Sequence, residues 1–146
     1  MNVYVASSWR NDWQPGVVSR LREDGHDVYD FRNPEPGNQG FAWSSIDPDW
    51  QQWSWEQYRD ALKHPLAANG FRLDMEALRQ ADATVLVMPC GRSAHLELGY
   101  AVGAGQHTAI LLGDEQEPEL MYLMADLVTG SPEQVCIFLR RCERAA

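Results

Sequence analysis

With 146 residues, 45% of them hydrophobic and 23% charged, the sequence has the length and composition of one globular domain with a sizeable core. No apolar run approaches the length that spans a bilayer, which argues against a membrane protein. A formal net charge of −9 and a pI near 4.7 exclude a nucleic-acid polymer as partner, because a phosphate backbone demands clustered Lys and Arg, while a small anion held by one or two fixed cations stays open.

The opening residues NVYVA (2–6) alternate as a short strand with Val3 and Val5 on one face and Tyr4 on the other. A polar loop, Ser7-Ser8-Trp9-Arg10-Asn11, leads to a helix from about Pro15 that carries Val17, Val18 and Leu21 at helical spacing and ends at Gly25. Residues 27–31 form the second strand of a βαβ unit, so the two strands are expected to be parallel with a right-handed crossover. Residues 32–55 are an insertion rich in Pro, Gly and Trp, too long for a plain connector. Its aromatic density argues against disorder and fits two roles, a lid over a planar ligand or a satellite core or subunit contact, with packing the commoner role for such residues.

Residues 55–66 are expected to be helical, with a break at Asn69-Gly70 and a second helix over 72–80 that holds Asp74 in its first turns. A β-branched apolar run at 83–88 reads as a buried strand. It breaks at Pro89-Cys90-Gly91, and a small-residue helix starts near Ala94 with Ser93 as its N-cap and Glu97 in its first turns. Gly99, Ala101, Gly103, Ala104 and Gly105 thin this helix for close packing against the sheet or a second subunit. A fourth strand at 108–112, a Met- and Leu-rich helix from Pro118, a fifth strand at 126–129 and a closing helix from 132 to about 144 complete the alternation. That pattern predicts an α/β protein, a flavodoxin-like three-layer sandwich with a five-stranded parallel sheet and helices on both faces. One domain over 1–146 is expected.

In such sheets ligands bind at the carboxyl edge, where strands hand over to helix N-termini. Glu97 is therefore expected near the functional edge, although an acidic residue early in a helix is also favoured by the helix dipole alone. The three cysteines (Cys90, Cys136, Cys142) include no CxxC pair, so neither a disulfide framework nor a zinc site is indicated. Cys90 lies in the loop before Glu97 with no His placed by sequence to activate it. The start has no basic segment followed by an apolar one, from which a cytoplasmic protein is expected.

The run Glu97-Leu98-Gly99-Tyr100-Ala101 after a buried strand, with Asp74-Met75-Glu76-Ala77-Leu78 and Ala81-Asp82 upstream and Tyr4 on the first strand, resembles the nucleoside 2-deoxyribosyltransferase superfamily, which includes 2'-deoxynucleoside 5'-phosphate N-hydrolases. The likeness runs from Tyr4 to about Met121 and leaves 32–70 unmatched. It implies that Glu97 attacks, or guides water to, the anomeric carbon of a nucleoside, that Asp74 works near the base and that Tyr4 orients the nucleophile. Ser8 and Arg10 fall where the nucleotide hydrolases hold a 5'-phosphate. Ser7, Trp9, Gly91, Arg92 and Ser93 complete the expected substrate loops.

The resemblance also implies a homodimer or higher oligomer, with Met121 reaching a neighbouring subunit's site, although Glu119 stands where the transferases carry Asn. The expected partner is a small nucleoside or nucleotide, and no metal or cofactor is required. An N-glycosidase of nucleoside 5'-monophosphates is the first expectation. A base-exchanging transferase on free deoxynucleosides, a non-catalytic nucleotide sensor and a TIR-like NAD glycohydrolase are the alternatives.

Overall fold

The computed structural model describes residues 1–114 and 117–145. Five strands, β1 (Asn2–Ala6), β2 (Asp27–Asp30), β3 (Ala83–Val87), β4 (His107–Leu111) and β5 (Leu127–Thr129), form one parallel sheet in the order β2-β1-β3-β4-β5. This is the flavodoxin-like order, whose direction reverses between β1 and β3. Helices α1 (Gln14–Glu23) and α5 (Pro132–Ala145) cover one face, while α3 (Pro65–Gln80) and α4 (Arg92–Gly103) cover the other. A short α2 (Trp55–Ala61) precedes α3 and buries none of its residues.

Strand alternation assigns the two cores. Val3 and Val5 join Val85, Val87 and the helices α1 and α5, whereas Tyr4 and Ala6 join Leu86, Leu78 of α3 and Ala94 and Leu98 of α4. β3 is buried at every position, as its unbroken apolar run requires in the centre of a parallel sheet. Among the described residues no helix is long and apolar enough to cross a membrane.

Several boundaries differ from the sequence reading. α3 runs unbroken through Asn69-Gly70, and the break lies earlier, where His64 accepts a hydrogen bond from the Leu66 N–H and Pro65 takes the first helical position. Gly70 serves packing instead of a turn: a Cβ there would stand 3.0 Å from Phe41 Cβ. Asp74 consequently lies in the middle of a long helix and not in a first turn, so the helix dipole does not account for it. α4 begins at Arg92 with Gly91 as N-cap, which places Ser93 inside the helix. Ala94, Leu98 and Ala101 do pack on the sheet, but a Cβ added at Gly99 or Gly103 would meet nothing within 4 Å, so no close approach requires these glycines. The second strand stops at Asp30, and the segment after Pro118 is a 3-10 helix over Leu120–Met124.

Candidate active site

A cavity of about 1000 Å3 opens at the carboxyl edge of the sheet, above the β1/β3 switch. Its floor is set by helical spacing. Glu97 follows Ala94 by three positions and precedes Ala101 by four, and both alanines are buried against the sheet. Its carboxyl therefore borders the packed stripe of α4 and is drawn in from solvent. Asp74 precedes the buried Leu78 by four positions on α3, which borders the sheet in the same way. The two carboxylates, from helices on either side of β3, line the same cavity.

Tyr4 and Tyr29 are register partners on β1 and β2 and stack with ring centroids 5.3 Å apart. The Tyr29 hydroxyl donates to Asp74 Oδ1 at 2.8 Å. Tyr4 is buried behind Tyr29; its hydroxyl meets no partner at full hydrogen-bond geometry but interacts with Glu97 at a looser range.

The electrostatics of the pair follow from this placement. Burial, and then the charge on Asp74, push the Glu97 carboxyl up to about 7, with the Tyr4 hydroxyl opposing the rise. Burial also raises Asp74, against the hydrogen bond from Tyr29. Both tyrosines are raised, first by burial, with the carboxylates adding to it. Among the described residues no Lys, Arg or His forms an ion pair with Glu97 or Asp74. Carboxylates half-buried without a cation partner are costly and concentrate at functional sites.

Two loops close one end of the cavity. The β1–α1 loop is laced to the β3–α4 loop: Ser7 Oγ donates to the Val87 carbonyl, Asn11 Nδ2 donates to Val87 and Pro89, and the Trp13 indole donates to Met88. Ser8, Arg10, Arg92 and Ser93 line the space between them. Ser8 Oγ accepts from the Arg10 N–H, which leaves its own proton to donate, whereas the Ser7 proton is already used. Gly91 caps α4 without a side-chain bond, so the first N–H groups of the helix stay open toward this end, an arrangement suited to an anion.

Sequence reasoning missed Tyr29 and Arg32. The Arg32 guanidinium donates to the carbonyls of Ser8, Trp9 and Asn11 at 2.9 to 3.2 Å and lies over the Trp9 ring. It fixes the loop on which Ser8 and Arg10 sit. No local spacing signals such a role, because it depends on where β2 ends relative to a loop twenty residues earlier in the chain.

The Trp-rich insertion crosses the cavity. Phe41, Trp43 and Trp50 line it, and Phe41, Trp43 and Trp53 also stack edge to face in a cluster of their own. The segment thus forms the satellite cluster expected of it and also lines the cavity. Cys90 lines the cavity with Sγ 3.7 Å from His95 Nδ1, so a His does lie beside it. Burial and the Glu97 charge nevertheless push the thiol up to about 12, which keeps it neutral. His95 is spent elsewhere, bonding the Gly91 carbonyl and the Tyr122 hydroxyl at 2.8 Å each. Met121 is exposed on the 3-10 helix and does not line the cavity of its own chain.

The class defined by fold is a flavodoxin-like α/β protein with a carboxylate pair at its switch point. Among solved structures, the chain shares the fold of a 2-deoxyribosyltransferase from Bacillus psychrosaccharolyticus, with a TM-score of 0.60 and 20% identity over 91% of this chain and 88% of that one. A CMP N-glycosidase, BcmB, from Clostridium botulinum aligns over 94% of this chain and 97% of that one at 14% identity; with a TM-score of 0.49, that likeness is too loose to bear on function. No protein-family model matches the sequence, and no curated protein matches it.

Proposed function

We propose that the protein is an N-glycosidase that cleaves the base–sugar bond of a nucleoside 5'-monophosphate. The observation that carries this reading is one cavity holding Glu97 and Asp74 at its floor and Ser8, Arg10, Arg92, Ser93 and an open helix N-terminus at one end. Breaking an N-glycosidic bond builds positive charge on the sugar, and a half-buried carboxylate without a cation partner gains a partner when that charge develops. Glu97 in its ionised form attacks C1 or holds the oxocarbenium for water. Tyr4 orients its carboxyl from below.

Asp74, held by Tyr29, faces the departing base. A proton on its free oxygen, or one relayed from water, neutralises the leaving nitrogen. The anion end takes the 5'-phosphate, the two arginines supplying charge and Ser8 a hydroxyl. The shared fold with a 2-deoxyribosyltransferase supports sugar–base chemistry at this edge of the sheet. Membership of an oligomer with Met121 in a neighbouring site belongs to the same reading; its exposure on a strip with Leu120, Leu123 and Met124 supports it.

The test is incubation with a panel of nucleoside 5'-monophosphates and the matching free nucleosides, with release of base followed by chromatography. Release is expected from the monophosphates, and Glu97→Ala is expected to abolish it with the fold intact by circular dichroism. Release that persists in Glu97→Ala removes the assigned role. Addition of a second base separates hydrolysis from transfer, since new nucleoside forms only in transfer.

A further inference from the structure

A second group of ionisable side chains lies at the opposite, amino edge of the sheet, away from the cavity. His26 sits in the turn between α1 and β2, just after Gly25 at φ +92, and its side chain is 1% exposed. Among the described residues neither of its ring nitrogens has a hydrogen-bond partner, and neither has Asp24 Oδ2, which lies 3.7 Å from His26 Nε2. A buried imidazole whose N–H and lone pair both go unmet is retained at a cost.

Four charges face the ring, from three elements. Asp24, at the end of α1, gives its other oxygen to Arg140 of α5 at 2.7 Å. The ammonium of Met1, ahead of β1, pairs with Glu143 of α5 at 2.9 Å. Arg22 turns away to the Val28 carbonyl and Asp27 is exposed, so neither enters the group. Two carboxylates thus meet two cations, and the cluster is balanced only while His26 is neutral. A proton on the ring adds a third cation, repelled by the ammonium and by Arg140. These pairs tie the end of α5 and the start of the chain to the α1–β2 turn, and beyond Leu139 the helix buries only Cys142.

We propose that His26 is an acid-sensitive latch: a proton on its ring unbalances the cluster, and the start of the chain and the last turns of α5 come away together while the cavity edge of the sheet stays in place. The inference does not depend on the reaction at the cavity. Its sign follows from burial, which, with the ammonium second, holds the closed ring below its ordinary 6.5. Closure is therefore fully stable above that value and is lost as pH falls below it, since the open form takes up the proton at 6.5. Between pH 7 and pH 5 the open population rises by up to about 25-fold.

Backbone hydrogen exchange on the intact protein, read by NMR and corrected for the intrinsic effect of pH on exchange, compares residues 139–143 with β3. Residues 139–143 are expected to open with a lower free energy than β3, and their opening equilibrium to rise at least tenfold between pH 7 and pH 5, with Cys142 becoming reactive to a thiol reagent over the same range. His26→Phe and His26→Asn, neither of which takes a proton there, are expected to remove the pH dependence. Thermal melts show which of the two folds, and titration of the His26 ring by NMR in the parent protein gives an answer that needs neither. A ring that titrates at or above 6.5, an opening that does not change with pH, a pH dependence that survives in a folded His26 variant, or exchange of 139–143 only together with β3 overturns the proposal.

Discussion

Replacement of Glu97 by Gln removes a charge that the fold works against, and its effect has a sign and a size. The carboxyl is raised from 4.5 to about 7, first by burial and then by Asp74. With about 1.4 kcal/mol per pKa unit, that rise amounts to roughly 3 kcal/mol. The folded protein holds the Glu97 proton more tightly than the unfolded chain, so this group's contribution is fully present below about 4.5 and is lost as pH climbs through about 7. Gln keeps the shape and never ionises.

Thermal melts of both proteins between pH 4 and pH 8 measure the difference, and the pairing cancels the titrating groups that do not touch Glu97, with the coupled Asp74 carried in the difference. At roughly 2–4 °C per kcal/mol for a chain of this size, Glu97→Gln is expected to melt about 6–12 °C above the parent at pH 8, with the gap closing toward pH 4. A gap that stays constant with pH, or a variant less stable at pH 8, refutes the argument that burial of an unpaired charge governs this side chain. Retention of so costly a group has a reason if its charge is needed in the reaction.

If ionised Glu97 acts on the sugar, kcat/KM for base release rises with pH through about 7; Asp74→Asn, by deleting a neighbouring charge, is expected to move that midpoint to lower pH, which a pH–rate profile on residual activity reads. Tyr29→Phe deletes the hydrogen bond that favours ionised Asp74, and a carbon-13 NMR titration of the Asp74 carboxyl is expected to show its pKa rise further. Arg10→Ala and Arg92→Ala are each expected to raise KM for monophosphates at least tenfold while free nucleosides change little, as steady-state kinetics on matched pairs will show; parallel losses on both would place these cations away from the phosphate. Arg32→Ala is expected to cost about 1.5–3 kcal/mol in urea denaturation, because the carbonyls of Ser8, Trp9 and Asn11 all accept from its one terminal Nη2 and lose that donor together.

Much of the architecture was legible in the sequence because it follows from short-range rules. Alternation in NVYVA placed Tyr4 opposite Val3 and Val5, and the unbroken run at β3 required a strand covered on both faces. Helix ends were less legible. Asn69-Gly70 carries the local signature of a turn, yet Gly70 is there because Phe41, almost thirty residues earlier, packs on it, and no local rule contains that fact. Ser93 likewise has the chemistry of an N-cap, while Gly91 holds the position.

The lining of the cavity was legible where a residue type and its place in the pattern suffice, as with Glu97 following a buried strand. It was hidden where one polar group is spent on another. The Ser7 hydroxyl and the His95 ring are both committed to holding loops together, and Arg32, which carries no motif, sets the shape of the anion loop. In the Trp-rich segment Phe41, Trp43 and Trp53 pack on one another, the packing role that composition allowed, and Phe41, Trp43 and Trp50 also line the cavity.

Asp74 and Glu97 belong to a single continuous stretch of chain, α3, β3 and α4, wrapped around the middle strand of the sheet. Ser8 and Arg10 come from the loop after β1, Arg92 and Ser93 from the start of α4, and the Trp-rich wall from residues 32–55 after β2. The lining of one cavity is thus drawn from three passages of the chain, with Tyr4 and Tyr29 reaching the acid pair from β1 and β2. Changes confined to the Trp-rich passage therefore leave both carboxylates and their tyrosine neighbours where they are.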